Sequence, residues 1–324
     1  MTNSLYSVTP YGEKFRTDWE NLVQSSHNGI FQNQRLYLEY HQSKLIDESI
    51  VVLRHGEVVA LLPMARVSKE VVCSHPGAAF GGLITKVNWH LDDLRIVTAE
   101  IFALLSRKGF CIFEYRPVPE IMHRRRFITD QEMLVSMGNL VQTRMIPYQV
   151  DVLQNDETHR TRNLKKANSS SLIFEISKNL EASYKVINDN LWNRHDTRPT
   201  HKLEEIQYLT SNFGESIRCY DVRSKEGGEI LATSIIYDYG NLHHIQYLGS
   251  SPAGRAFFAV DFMIDKLRDL ARKAGQSKLS YGHSLVSSTS PYLNYGLFRF
   301  KTSHGFSVTP TFHHQIDLAR FKEF

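Results

Sequence analysis

Hydrophobic positions along this chain switch repeatedly between a period of two and a helical period. Ile50–Arg54 is a β-branched run, His55-Gly56-Glu57 is a turn, and Val58–Val67 is a second apolar run. That pattern predicts a β-hairpin. It recurs in the second half as Ile217–Arg223, a turn over Lys225–Gly228, and Ile230–Tyr237. A glycine-bearing stretch follows each hairpin, HPGAAFGGLI (His75–Ile84) and YLGSSPAGR (Tyr247–Arg255). Amphipathic helices come next, marked by Leu94, Val97, Ile101, Leu104 and Leu105, and by Val260, Ile264, Leu267 and Ala271. Both helices close on cations and glycine, Arg107-Lys108-Gly109 and Arg272-Lys273-Ala274-Gly275, which suits unpaired terminal carbonyls. Strands Phe110–Tyr115 and Leu279–Tyr281 follow.

The shared order predicts one α/β unit used twice, with domains over 1–150 and 151–324. The alternative is coincidence, because hairpin, helix and strand often follow one another in α/β proteins. The junction falls near Pro147–Asp156, with Gln149–Leu153 closing the first unit as a strand. A basic helix is expected within His159–Ser171, then a strand at Leu172–Ile176. Helices are expected at Leu180–Arg194 and Leu203–Asn212, and a last strand at Thr311–Leu318.

Composition narrows the function class. The 324 residues are long enough for two domains, and 42% hydrophobic with 22% charged residues is a soluble globular balance. A net charge of +4 suits anionic small molecules and gives no argument for nucleic acid. No apolar run reaches membrane-spanning length, and MTNSLYSVTPYGEKF has no signal-peptide core. Cys73, Cys111 and Cys219 are far apart in apolar runs and read as small buried hydrophobes. No Cys/His cluster has zinc spacing, so no metal is expected. A cytoplasmic location is the simple expectation.

The loop Gly249–Arg255 is the first candidate for chemistry. Peptide N–H groups at a helix start suit a pyrophosphate, and Arg255 would add charge. An ordinary strand–helix connection also carries Gly and Ser. Two basic clusters, Arg124-Arg125-Arg126 and Arg160, Arg162, Lys165 and Lys166, read either as phosphate contacts or as solvated surface.

Four segments carry a family resemblance. They are Pro199–Ile206 (PTHKLEEI); His244–Tyr247 (HIQY) with Gly254-Arg255; Tyr281–Ser284 (YGHS); and Leu293–Leu297 (LNYGL) with Phe300-Lys301 and Gly305-Phe306. With them the chain resembles a tandem GNAT acyltransferase of the FemAB/FemX-like branch. The match spans most of the second half. The first half matches more loosely, through its hairpin and Phe80-Gly81-Gly82. The resemblance implies two GNAT-like domains, each a twisted mixed sheet flanked by helices. It is nearest to bacterial enzymes of surface-glycan (lipopolysaccharide or O-antigen) biosynthesis that acylate nucleotide-linked amino sugars from acyl-CoA, for example a dTDP-3-amino-3,6-dideoxyhexose. On that reading acyl-CoA binds the second domain, and the first lends an acceptor cleft without a donor site. The amino sugar lies between them, and a homodimer is plausible for such enzymes. A FemX-like transferase using aminoacyl-tRNA is the first alternative, and a non-catalytic CoA or nucleotide-sugar binding module the second.

Acyl transfer needs a neutral amine, a held oxyanion and a proton for the departing thiolate. The resemblance assigns donor binding to Leu248, Gly249, Ala253, Gly254, Arg255 and Ala256, with the Leu248 N–H polarising the thioester carbonyl. His201 is the candidate for proton handling; helix capping or pairing with Glu204 or Glu205 is its alternative. Alternation puts His244 and Gln246 on one face, so Gln246 would bond the acceptor or acyl group, or a neighbouring strand. Asn294 and Lys301, seven residues apart, are expected to share a helix face, with Lys301 on a phosphate or the oxyanion. Tyr295 would protonate the thiolate or pack in the core. Phe80, Gly81, Arg116, Tyr281, His283 and Ser284 complete the list as substrate contacts.

Overall fold

The computed structural model describes residues 5–40, 43–153, 162–226, 228–286 and 292–320. The chain forms two compact units, residues 1–146 with 311–324, and residues 147–310. The final strand, read from the sequence with the second half, therefore groups with the first unit from Thr311 onward.

The first unit opens with β1 (Tyr6–Pro10), α1 (Arg16–Ser25) and α2 (Arg35–Glu39). Next come β2 (Ile46–Asp47), β3 (Ile50–Arg54), β4 (Glu57–Leu62), β5 (Ala65–Arg66), β6 (Val71–Cys73) and β7 (Ile84–Thr85). Helix α3 (Leu91–Arg107), β8 (Ile112–Tyr115) and α4 (Thr129–Ser136) follow, and β9 (Leu140–Val152) leads into the second unit. The expected hairpin forms between β3 and β4. His55 and Gly56 both take positive φ, 51° and 85°, the geometry of a two-residue turn that matches strand twist. Strands β1, β3, β4 and β7 make one antiparallel sheet; β2, β5, β6 and β8 belong to another, where β6 and β8 run parallel. Val97, Ile101 and Leu105 of α3 pack with Leu62, Phe113 and Tyr115 in one apolar core. Cys73 is buried as expected; Cys111 is exposed, because it precedes β8 rather than lying within it.

The second unit continues with α5 (Arg162–Ser169), β10 (Leu172–Ile176), α6 (Leu180–His195), α7 (Leu203–Asn212), β11 (Ile217–Ser224), β12 (Ile230–Asp238) and β13 (Leu242–Ser250). It ends with α8 (Pro252–Ala256), α9 (Ala259–Lys273), β14 (Lys278–His283), α10 (Tyr295–Ser303) and the start of β15 (Ser307–Asp317), whose later residues return to the first unit. Strand order is β10-β11-β12-β13-β14-β9, and every pair is antiparallel except β13 with β14. Phe262, Met263 and Leu267 of α9 join Ile236, Ile245 and Leu279 of the sheet in a second core. Helix α6 also packs on β12 and β13. Its backbone comes so near that a Cβ on Gly249 would lie 2.9 Å from the Ile187 Cα.

Candidate functional site

The centre of the site is the place where β13 and β14 separate. Their parallel pairing covers three rungs, Leu242↔Lys278, His243↔Leu279 and His244↔Ser280. Just beyond, the β12–β13 register slips: Ile236 pairs with Ile245 and Ile235 with Tyr247, so Gln246 is an inserted bulge residue. A bulge bends its strand and increases its twist. On the other side, β14 is irregular between Ser280 and His283, and Gly282 turns left-handed at φ 59°. The two strands therefore part at their C-terminal ends.

The edge of β13 that faces this opening carries peptide groups. The Tyr247 carbonyl accepts from Ser234 of β12, and the Ser251 N–H donates to Leu231 of β12. Peptide groups alternate in direction along a strand. The Leu248 N–H thus points away from β12, toward the side that β14 has left. The Ser250 N–H points the same way and meets the Asn190 side chain of α6 at 3.5 Å.

The turn after β13 is built more tightly than a phosphate loop requires. Ser251 caps α8, its hydroxyl accepting from the Gly254 N–H at 3.0 Å. A Cβ on Gly254 would fall 1.8 Å from the Leu231 carbonyl oxygen. Gly249 and Gly254 are thereby accounted for by close backbone packing, and one amide expected to face pyrophosphate is spent on Ser251. Ala253 is half-buried, and Arg255 and Ala256 are exposed. Phe258, with φ 52°, separates α8 from α9.

His201 reaches this strand from the α6–α7 connection. Its Nδ1 lies 2.8 Å from the Tyr247 hydroxyl, its N–H donates to that oxygen at 3.2 Å, and its carbonyl accepts from Tyr184. The capping box of α7 uses Lys202 and Glu205, so His201 is not the cap. Burial, then the charges of Lys301 and His283, push His244 down to about 3, leaving its imidazole neutral.

Lys301 is 2% exposed. Its ammonium donates to the carbonyls of Tyr281 (2.5 Å), Gly282 (3.4 Å) and His283 (2.7 Å), three successive residues that the Gly282 turn converges on one point. It also lies 4.7 Å from the centre of the Tyr281 ring. Among the described residues no carboxylate pairs with it, and burial pushes it down to about 7. The three carbonyls favour the charged form and oppose that shift. Asn294 does not share its face: it is the exposed N-cap of α10, accepting from the Leu297 N–H at 3.0 Å. The seven-residue spacing fails because the helix begins after Asn294. Tyr295 is 77% exposed, so it is not a core residue, and it is not brought to Lys301.

The other candidates divide. The Tyr281 ring packs edge-on to Phe300 and Phe306, and burial holds its phenol well above the usual range. His283 accepts from the Leu285 N–H and lies edge-on to Tyr148. Ser284 is fully buried on Gln149. In the first unit, Gly81 bridges to Pro117 and donates to the Arg116 carbonyl, beside buried Phe80; the Arg116 guanidinium pairs with Glu114. Arg124 donates to the carbonyls of Val23 and Ser26, and Arg126 pairs with Glu120, so both serve the first unit's own structure. Arg162, Lys165 and Lys166 are exposed, and Arg160 lies outside the described residues. The sequence reading missed Tyr247 and Ser280. Among the described residues no group of three His, Cys, Asp or Glu side chains is placed to hold a metal, and no helix is long and apolar enough to cross a membrane.

Comparison with known proteins agrees with this geometry at the level of fold. No protein-family model and no curated protein matches the chain. Solved structures do. FemX superposes with a TM-score of 0.66 at 14% identity, over 96% of this chain and 97% of that one. L-PGS from Bacillus licheniformis gives 0.56 at 15% identity, over 94% and 92%. A tandem GNAT protein from the clavulanic acid biosynthesis pathway gives 0.52 at 10% identity, over 98% and 100%. The fold is α/β, two units of sheet flanked by helices, similar to those of FemX and of the tandem GNAT protein.

Proposed function

We propose that the protein is a GNAT-type N-acyltransferase whose second unit binds the activated acyl donor. The observation that carries this reading is the parting of β13 and β14 at the Gln246 bulge, with the Leu248 N–H turned to the opening. A thioester carbonyl laid there receives a backbone hydrogen bond that strengthens as its oxygen gains charge. The amine lone pair attacks the carbonyl carbon, a C–N bond forms, and the C–S bond breaks. One amine proton passes by way of solvent to the sulfur, giving an amide and a free thiol. The turn Ser251–Ala256, with exposed Arg255, is the part of the unit that would meet the donor's phosphates.

In its finer form the donor is acyl-CoA and the acceptor a nucleotide-linked amino sugar, which would set the enzyme in bacterial surface-glycan synthesis in the cytoplasm. The segments HIQY, YGHS and LNYGL with Phe300-Lys301 support it by resemblance. A second reading, aminoacyl transfer from tRNA, is favoured by the FemX superposition over nearly the whole chain. Product mass from incubations that pair acetyl-CoA, 3-hydroxyacyl-CoA or aminoacyl-tRNA with dTDP- and UDP-linked amino sugars separates the two. An amide formed from acyl-CoA alone supports the first. Turnover with aminoacyl-tRNA alone replaces it with the second. No product and no thermal stabilisation by either donor removes both.

A further inference from the structure

Helix α5 has two unlike faces. Leu164 and Ala167 are buried, and Ala167 joins Ala259, Phe262 and Met263 of α9 in the core of the second unit. Arg162, Lys165 and Lys166, at spacings of three and four, share the opposite face and are exposed. The sequence of the helix, RNLKKANS, holds no acidic residue, and among the described residues no carboxylate pairs with any of the three cations. Like charges at these spacings oppose helix formation. A face built this way is stabilised by an anion supplied from outside.

Lys166 carries this face to the turn after β13. Its Nζ lies 5.3 Å from the centre of the Phe258 ring, within cation–π range. Phe258 is the residue that separates α8 from α9, and its N–H donates to the Arg255 carbonyl at 3.2 Å. Arg255 is exposed, and among the described residues it too pairs with no carboxylate. The basic face of α5 and the turn that would meet the donor's phosphates are therefore neighbours. The face is short: the eight residues of α5 span about 12 Å. Three cations over that length match one phosphate monoester better than a nucleic-acid backbone, where a protein makes about six to ten phosphate contacts.

We propose that the basic face of α5 binds a phosphate monoester on the nucleotide end of the donor, beyond the diphosphate, so that the second unit selects acyl-CoA over donors that lack the 3′-phosphate. This rests on the acyl-CoA form of the function proposed above. Lys165 and Lys166, with Arg162, are then specificity residues for the donor and not contacts of the acceptor. They hold a group that takes no part in the bond changes at the thioester. Their contribution is the same in the ground state and the transition state, so it falls on KM and leaves kcat alone.

Calorimetric titration of the full chain with CoA and with 3′-dephospho-CoA tests it. Wild-type protein is expected to bind CoA about tenfold tighter, the scale of one charge-assisted contact. The double variant Lys165→Gln, Lys166→Gln is expected to bind the two about equally, at the level that wild type shows for 3′-dephospho-CoA. Its KM for acyl-CoA should rise about tenfold with kcat unchanged. Both side chains are exposed, and the melting temperature checks that the variant is folded. Lys273→Gln, an exposed cation in the last turn of α9, controls for net charge and should keep the preference. Equal affinities in wild type, or a full preference kept in the double variant, overturns the proposal. So does a double variant that binds CoA as before and loses tRNA, which gives the face to a nucleic acid. Acyl transfer from CoA donors with no preference for the 3′-phosphate removes this proposal alone. A wild-type protein that binds neither CoA nor 3′-dephospho-CoA removes the acyl-CoA reading as well.

Discussion

Lys301 donates to the carbonyl oxygen of His283 at 2.7 Å, across the turn that ends β14. With the carbonyls of Tyr281 and Gly282, this uses all three protons of the ammonium. Lys301 therefore shapes one wall of the opening between β13 and β14 instead of reaching into it. Lys301→Met should strand three part-buried carbonyls, and urea unfolding should show a loss of about 2–4 kcal/mol. The pH dependence has a definite sign. A lysine pushed from 10.5 down to about 7 binds fewer protons folded than unfolded between those values. Its contribution is fully present above 10.5 and is lost as pH falls through 7. Lys301→Met should erase that rise in stability with pH. Unchanged stability and slope in the variant would show that the carbonyls are satisfied some other way.

Asp130 gives the opposite slope in the first unit. It accepts from the Tyr115 hydroxyl, which in turn accepts from the Leu83 N–H at 2.8 Å. Burial pushes its carboxyl from 3.8 up to about 7, with the Tyr115 bond opposing. A raised folded value means that the folded state keeps the proton the unfolded chain gives up. The contribution is present below pH 3.8 and is lost as pH rises through about 7, by up to about 4 kcal/mol. Denaturation of Asp130→Asn across pH 4–8 should lack this decline. His244, pushed from 6.5 to about 3, works the other way, losing stability as pH falls below 6.5, and should be unaffected in that variant.

Gly254 and Ser251 separate a packing role from a ligand role. Gly254→Ala places a methyl against the Leu231 carbonyl, a clash that backbone must relieve. Overpacking of this kind costs about 1–3 kcal/mol. Ser251→Ala removes the cap of α8 and should cost about 1 kcal/mol. Both should lower the melting temperature with or without donor present. A loss of donor affinity in Ser251→Ala with no change in melting temperature would instead assign the hydroxyl to the ligand.

These residues also mark how much was legible in the sequence. The hairpin turn at His55-Gly56, helices α3, α7 and α9, and strands β10 and β11 were readable because they rest on local periodicity and turn chemistry. Gln246 and His201 were readable as candidates: Gln246 is the bulge residue of β13, and His201 bonds Tyr247 of the same strand. The bulge at Gln246 was not, because it exists only in the register between β12 and β13. Strict alternation set Tyr247 apart from Gln246, which hid the link to His201. A glycine beside a carbonyl and a glycine beside a phosphate look alike in sequence, so Gly249 and Gly254 read as ligand loop. Asn294 and Lys301 were joined by helical spacing, when the one starts the helix and the other is buried near its end.

Leu248→Pro tests the backbone donor itself. The peptide groups that hold β13 to β12 belong to Tyr247 and its alternate neighbours, so losing the Leu248 N–H spares that ladder. Proline suits an extended strand whose N–H faces an open edge. If this N–H holds the oxyanion, kcat should fall about 100- to 1000-fold while KM for the acyl donor moves little, since the bond strengthens mainly as charge develops. Far-UV circular dichroism and the melting temperature would establish that the strand persists. A kcat within a few-fold of wild type, in a folded variant, would place the oxyanion donor elsewhere.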